Sequence, residues 1–368
     1  MIPERQVYFP PDERARLVAE IDRILESGRL TLGSETGAFE DEFAERVGTR
    51  HAVATASGTA ALEIILRILG VAGRAVVVPA NTFFATAAAV VHAGGVPLLC
   101  DVRSDTLMPD RHLVQAAWTA DTVGCVLVHI GGAIAPDVGD ILDFCASHGG
   151  WVVEDAAHAI GSRWHGRPAG SLGIAAAFSL YATKVVTAAE GGVIATGDAA
   201  LAAEARIYRD QGKAHFSTNT HVRMGGSWRM SEIHAAIGRS QLRCLDAFIE
   251  ARRRVAAIYD SALRGVNPIQ PGANVFQNYY KYSALLGHGI DRDAFKRELE
   301  RRHGMKLATE VYERPLHRQP IFSAFESRPL PGADEACARL VCLPMSSTMT
   351  EADARLVSAA VAEVADQR

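Results

Sequence analysis

From about residue 50 to residue 200 the chain alternates short apolar runs with stretches of helical period, a rhythm that few folds accept. Residues 51–56, 74–79, 96–101, 123–129 and Trp151–Asp155 read as strands. They are apolar on both sides, as a parallel sheet covered on both faces requires. Helical patterns at 59–69, 82–92 and 137–148 separate them. The alternation predicts a doubly wound α/β domain with a mostly parallel sheet, whose ligand-binding loops sit at the carboxyl ends of the strands. Further strands are predicted at 174–178 and 191–196, and one long helix at 231–263.

Beyond Asn267 the pattern changes. A strand at 280–286, a helix at 291–302, a strand at 340–343 and a last helix from Thr350 predict a small α+β domain, with an exposed loop at 327–332. A chain of 368 residues is long enough for two such units. The expected division is a large domain over 1–265, with its N-terminal arm, and a small C-terminal domain over 266–368.

Charge excludes some functions. A net charge of −4 gives no basic surface for nucleic acid. The one basic run, Arg252-Arg253-Arg254, lies in a helical pattern and reads as a solvated helix face. Six cysteines without a C-x-x-C pair sit mostly in apolar runs, as buried thiols of a reducing compartment do. No metal site is read. Charges near the start, and no apolar run of about 18 residues, point to a cytoplasmic protein without a membrane segment.

The chemistry lies at the strand ends. Trp151-Val-Val-Glu-Asp155 ends in a carboxylate, and Ser179-Leu-Tyr-Ala-Thr-Lys184 follows a predicted strand. A lysine among small apolar residues is partly desolvated, and its amine then forms an imine with an aldehyde readily. A buried carboxylate needs a cationic partner, which a protonated pyridine nitrogen supplies. Together Lys184 and Asp155 are the kit for pyridoxal 5'-phosphate. Ala56-Ser57-Gly58-Thr59-Ala60 closes a strand and opens a helix; its amides suit a phosphate, and they equally suit an ordinary capped turn. Ser179 is near enough in sequence to reach that phosphate. In Pro79-Ala-Asn-Thr-Phe83-Phe84 a ring can stack on a flat cofactor or simply fill the core. His158, in Glu154-Asp-Ala-Ala-His158, is placed beside the ring substituents or is structural.

These motifs, with Glu190-Gly-Gly192 and Trp228-Arg-Met-Ser-Glu-Ile-His-Ala-Ala236, occur in an order that resembles the DegT/DnrJ/EryC1/StrS aminotransferases, from Gly33 to His317. The resemblance implies the fold-type I architecture of pyridoxal-phosphate enzymes. It implies that Lys184 forms the internal aldimine and shuttles a proton, and that Asp155 pairs with the pyridine nitrogen. Phe83 stacks on the ring, His158 stands near the cofactor's hydroxyl, and Gly58, Thr59 and Ser179 hold the phosphate. A homodimer is implied, with active sites at the interface and the segment Gly226-Ser227-Trp228-Arg229 reaching the partner's cofactor. Tyr312, Arg314 and His317 belong to a segment that helps bind substrate. Two positions depart from the family pattern: Ser227 stands where Asn is common, and Gln211 where His is frequent near substrate.

The reaction implied is transfer of an amino group from L-glutamate to a keto-sugar, most often nucleotide-linked and deoxygenated. Amination of a ketocyclitol is the near alternative. Relatives that remove a sugar hydroxyl carry His where this chain has Lys184. A non-catalytic sensor that merely binds the cofactor is the remaining class.

Overall fold

The apolar runs rich in Val, Ala and Ile form strands because both faces of the sheet are covered, and such residues pack well on a pleated surface. The structure, a computed structural model, describes residues 7–325 and 328–365. Its first half runs α1 (Pro11–Ser27), α2 (Ser34–Val47), β1 (His51–Thr55), α3 (Gly58–Ile68), β2 (Ala75–Pro79), α4 (Phe84–His92), β3 (Val96–Cys100), α5 (Arg111–Ala117), β4 (Thr122–Val128), α6 (Val138–Ser147) and β5 (Trp151–Asp155). Then come β6 (Arg163–Trp164), β7 (Arg167–Pro168), β8 (Ala175–Ser179), β9 (Gly192–Thr196), α7 (Ala199–Arg209), α8 (Glu232–Arg243) and α9 (Leu245–Ala262). The chain continues with β10 (Val266–Pro268), β11 (Val275–Phe276), β12 (Tyr282–Leu286), α10 (Arg292–His303), α11 (Pro331–Arg339), β13 (Leu340–Leu343) and α12 (Glu351–Ala365).

The main sheet has the order β1-β9-β8-β5-β4-β2-β3. β9 runs antiparallel to both neighbours and the other pairings are parallel. One core cluster, with Phe39, Phe43, Leu127 and Phe178, fills one face, and another, with Val53, Ile64, Ile65 and Val90, fills the other. A second, antiparallel sheet, β10-β12-β13, builds a third core with Phe295, Leu299 and Val361, to which the end of α9 contributes Val255 and Tyr259. Between them the chain doubles back: β11 pairs with β6, and Lys281 N–H donates to the Gly131 carbonyl at 3.0 Å.

Three expectations are corrected. The helix expected at 231–263 is two helices, α8 and α9, parted at Cys244. Cys244 N–H bonds the Gln241 carbonyl, three residues back, at 3.0 Å, so the last turn tightens and the axis changes without glycine or proline. Arg252 is not solvated: it is buried, and its Nη1 donates to the carbonyls of Tyr279, Tyr280 and Met345 at 3.2–3.4 Å. Of the loop expected at 327–332, residue 327 lies outside the described residues and Pro331 already opens α11. A proline at the first helical position is pre-set for the turn, and the Asp101 carboxylate accepts from Gly332 and Ala333 N–H at 2.9 and 2.7 Å. All six cysteines are free and buried. No described helix is long and apolar enough to cross a membrane.

Candidate active site

Strands β1, β2, β5 and β8 end along one edge of the main sheet, and a cavity of about 450 Å³ opens there. Side chains alternate across a strand, so the neighbours Glu154 and Asp155 face opposite ways. Glu154 turns into the core. Burial pushes its carboxyl upward, yet the His129 Nε2 contact at 2.9 Å and the amides of Gly170, Leu172 and Gly173 at 2.7–2.9 Å outweigh that and hold it below the ordinary range. Asp155 lines the cavity. Its oxygens accept from Thr86 Oγ1 at 2.7 Å and Ala157 N–H at 3.2 Å, while Thr82 Oγ1 lies 2.8 Å from Thr86 Oγ1. Burial pushes the Asp155 carboxyl above its ordinary range, against the hydrogen bonds and the charge of Lys184.

Lys184 enters the same cavity from a braced loop. Leu180 N–H bonds the Gly191 carbonyl, Ala188 N–H bonds the Leu180 carbonyl, and Lys184 N–H closes a turn onto Tyr181, each at 2.9 Å. The lysine Nζ lies over the Tyr280 ring, 4.9 Å from its centre.

At the cavity's other margin α3 begins. Ser57 Oγ caps it by accepting from Ala60 N–H at 3.1 Å, leaving the first-turn amides of Gly58 and Thr59 without an intrahelical acceptor. Gly58 packs on β8, where a Cβ would stand 3.0 Å from Ser179 Cβ. Gly192 is needed because any Cβ there would meet the Ser57 carbonyl oxygen at 2.2 Å. A small residue pair therefore brings a helix N-terminus and a hydroxyl together beside the cavity, an arrangement suited to a phosphate.

Of the residues singled out in the sequence, Gly58, Thr59, Phe83, Asp155, His158, Ser179, Lys184 and Tyr312 line this one cavity. Phe83 is 56% exposed at its mouth, 5.7 Å from the Tyr312 ring. His158 Nδ1 accepts from Gly131 N–H at 3.3 Å, which puts the ring proton on Nε2, 3.4 Å from the Tyr312 hydroxyl. Four others lie elsewhere on this chain. Ser227 and Gln211 sit on an exposed strip, where Gln211 N–H bonds the Gly226 carbonyl at 2.8 Å and Arg229 Nη2 donates to Ser227 Oγ at 2.7 Å. Arg314 points to solvent, and His317 Nε2 pairs with Asp334 at 3.0 Å.

Sequence reasoning missed Tyr280, Lys281 and Glu310, which also line the cavity, and gave Glu190, another lining residue from the Glu190-Gly-Gly192 motif, no role of its own. It also missed Asn81, whose Oδ1 accepts from Tyr312 N–H at 3.0 Å and whose Nδ2 reaches the Leu107 and Val311 carbonyls, each at 3.3 Å. The residues between Pro79 and Phe84 offered the only signal: a polar pair, Asn81-Thr82, inside an otherwise apolar stretch.

The sequence pattern of the DegT/DnrJ/EryC1/StrS aminotransferase family matches residues 11–362. The chain is similar to the GDP-perosamine synthase of Caulobacter vibrioides, 33% identical over 359 residues that cover 94% of this chain and 95% of that protein. Its fold is similar to that of S. venezuelae DesV in complex with a ketimine intermediate, with a TM-score of 0.90, 33% identity and coverage of 96% of this chain and 95% of that one. It also matches Spr1654 of Streptococcus pneumoniae in its PLP form, with a TM-score of 0.90, 25% identity and coverage of 99% of each chain.

Proposed function

The chain belongs to the DegT/DnrJ/EryC1/StrS aminotransferase family, and from that membership we propose that it binds pyridoxal 5'-phosphate and aminates a keto-sugar. The amino donor is L-glutamate and the acceptor a nucleotide-linked keto-deoxysugar. One observation carries the reading: a buried carboxylate and a lysine line a single cavity beside a capped helix N-terminus.

Those groups fit the cofactor. The buried Asp155 carboxylate, held otherwise by a hydroxyl and an amide, calls for a cationic N–H, which the pyridine ring carries. Pyridoxal phosphate, when bound, supplies an aldehyde for an amine and a ring that accepts electrons. The chain's own residues do the rest. Asp155, oriented by Thr86 and Ala157, holds a proton on the ring nitrogen. The amides of Gly58 and Thr59, with the Ser179 hydroxyl, bind the phosphate dianion. Lys184 would hold the aldehyde, and its amine, when free, would move a proton between the two carbons on either side of the transferred nitrogen. Phe83 and Tyr312 cover the mouth and limit the entry of water.

The acceptor assignment draws on the relatives: one is a GDP-perosamine synthase. A dimer completes the site. The strip with Gln211 and Ser227 stands beside exposed Phe216 and Met224, apolar surface of the kind that a second copy covers.

The test starts with full-length protein and pyridoxal phosphate. Colour should appear, and borohydride should fix the coenzyme to the peptide that contains Lys184. L-Glutamate should then bleach the colour and release 2-oxoglutarate, and nucleotide-linked keto-sugars should restore it. Lys184→Ala should neither colour nor turn over. A wild-type chain that stays colourless and unlabelled would end the reading.

A further inference from the structure

Tyr280 is held more tightly than a core filler needs. Asn278 Oδ1 accepts from Tyr280 N–H at 2.8 Å, while Asn278 Nδ2 donates to the His158 and Ile160 carbonyls, both at 2.8 Å. Arg252, buried in α9, takes up the carbonyls of Tyr279 and Tyr280. Burying a guanidinium is costly, and Tyr279 adds a left-handed backbone at φ 50°. All of this fixes one ring. That ring packs on His158, with centroids 4.4 Å apart at 30°, its hydroxyl lies 3.3 Å from Thr183 Oγ1, and its face lies beneath the Lys184 ammonium, 4.9 Å away.

We propose that Tyr280 is a positioning residue, the platform on which the Lys184 ammonium rests whenever the amine is not bound to the coenzyme. The inference rests on the pyridoxal-phosphate reading, since only a lysine alternately bound and released needs such a place. The negative face of the ring attracts the charged amine, favours its protonated form and returns it to one position after each release. Tyr280→Leu removes the platform, Tyr280→Phe keeps it and loses only the hydroxyl contact with Thr183.

The charges around Lys184 are common to all variants. Asp155, His158, Glu190, Lys281 and Glu310 line its cavity, and Arg252 and Lys281 line a smaller one that it shares. The experiment is competitive labelling of the full-length, coenzyme-free chain with acetic anhydride across pH, read on the Lys184 peptide by mass spectrometry. Tyr280→Leu should lower the pH midpoint of Lys184 reactivity by about half a unit, as an attraction of this kind predicts, and Tyr280→Phe should match wild type. A Leu midpoint equal to wild type overturns the proposal, as does a Phe midpoint that falls as far as Leu. Should the Leu variant fail to melt cooperatively, tetrafluorophenylalanine at position 280 keeps the shape and empties the ring face of electrons. It must lower the midpoint too, and a wild-type value there overturns the platform. Labelling needs no coenzyme, so this failure is distinct from a wild type that never takes up colour.

Discussion

Glu154 and Asp155 are separated by one peptide bond and pushed in opposite directions, so each makes its own prediction. Glu154 is held below its ordinary range, so it contributes stability above the unfolded value near 4.5, and that contribution is lost as pH falls through the folded value. Glu154→Gln should therefore cost roughly 2–4 kcal/mol at pH 7, by urea unfolding, and the difference from wild type should close only as pH falls through the folded value, below the ordinary glutamate range. Asp155 is pushed up by burial, and the sign reverses: relative to the unfolded chain its carboxyl favours folding at low pH and opposes it as pH rises through the folded value. Asp155→Asn should thus stabilise the coenzyme-free chain at pH 7–8 and not below about pH 4, while lowering turnover by about 10²-fold or more. A variant with wild-type turnover would remove Asp155 from the chemistry. Asp155 was legible in the sequence because it ends an apolar strand, while the turn of Glu154 into the core onto His129 was not read. Tyr280 and Arg252 were not legible, since their positions depend on partners far along the chain: Asn278 bridging to His158 and Ile160, and α9 bridging to Met345.

Elements were readable where one local rule decided them. The strands at 51–55, 75–79 and 151–155 and the helix opened by Ser57 needed only period and cap. The α8–α9 break was hidden because Cys244 breaks no propensity rule. The start of α2 was hidden for another reason: its cap comes from 199 residues further along the chain. Glu232, at the start of α8, accepts from Gly33 N–H at 2.9 Å, Glu35 N–H at 2.8 Å and Thr36 N–H at 3.0 Å. A carboxylate at a helix N-terminus meets both the orphan amides and the dipole. Glu232→Ala should cost about 2–3 kcal/mol in urea unfolding, more than loss of an ordinary serine cap, and Glu232→Gln about half as much. Gly33→Ala should behave like the alanine variant, since its Cβ would press on Glu232 Oε2 at 2.5 Å. If Glu232→Ala unfolds with wild type, the Glu232 cap adds nothing to the apolar packing and the Arg239 ion pairs with Glu35 and Glu42 that also join the two helices.

At the scale of the whole molecule, the cavity is walled by the carboxyl edge of the main sheet, by Tyr280 and Lys281, and by Thr309 to Tyr312, yet Ser227 and Gln211 stand outside it on the same chain. Arg229 bonds Asp210 at 2.5 Å and holds that strip in shape, so the strip is built, and built facing outward. If it serves a neighbouring subunit, the defect of a strip variant and that of a lysine variant belong to different halves of each site. Arg229→Glu and Lys184→Ala homodimers should each be inactive. Mixed, unfolded together and refolded, half of the dimers become hybrids, and each hybrid holds one site with both defects and one with neither. Activity should then return to about a quarter of wild type, a fraction set by two-fold symmetry and independent of substrate. Recovery on mixing has no source in a chain that completes its own site: there, Arg229→Glu would disable the same site as its own Lys184, and the mixture would be no more active than the better of its parents.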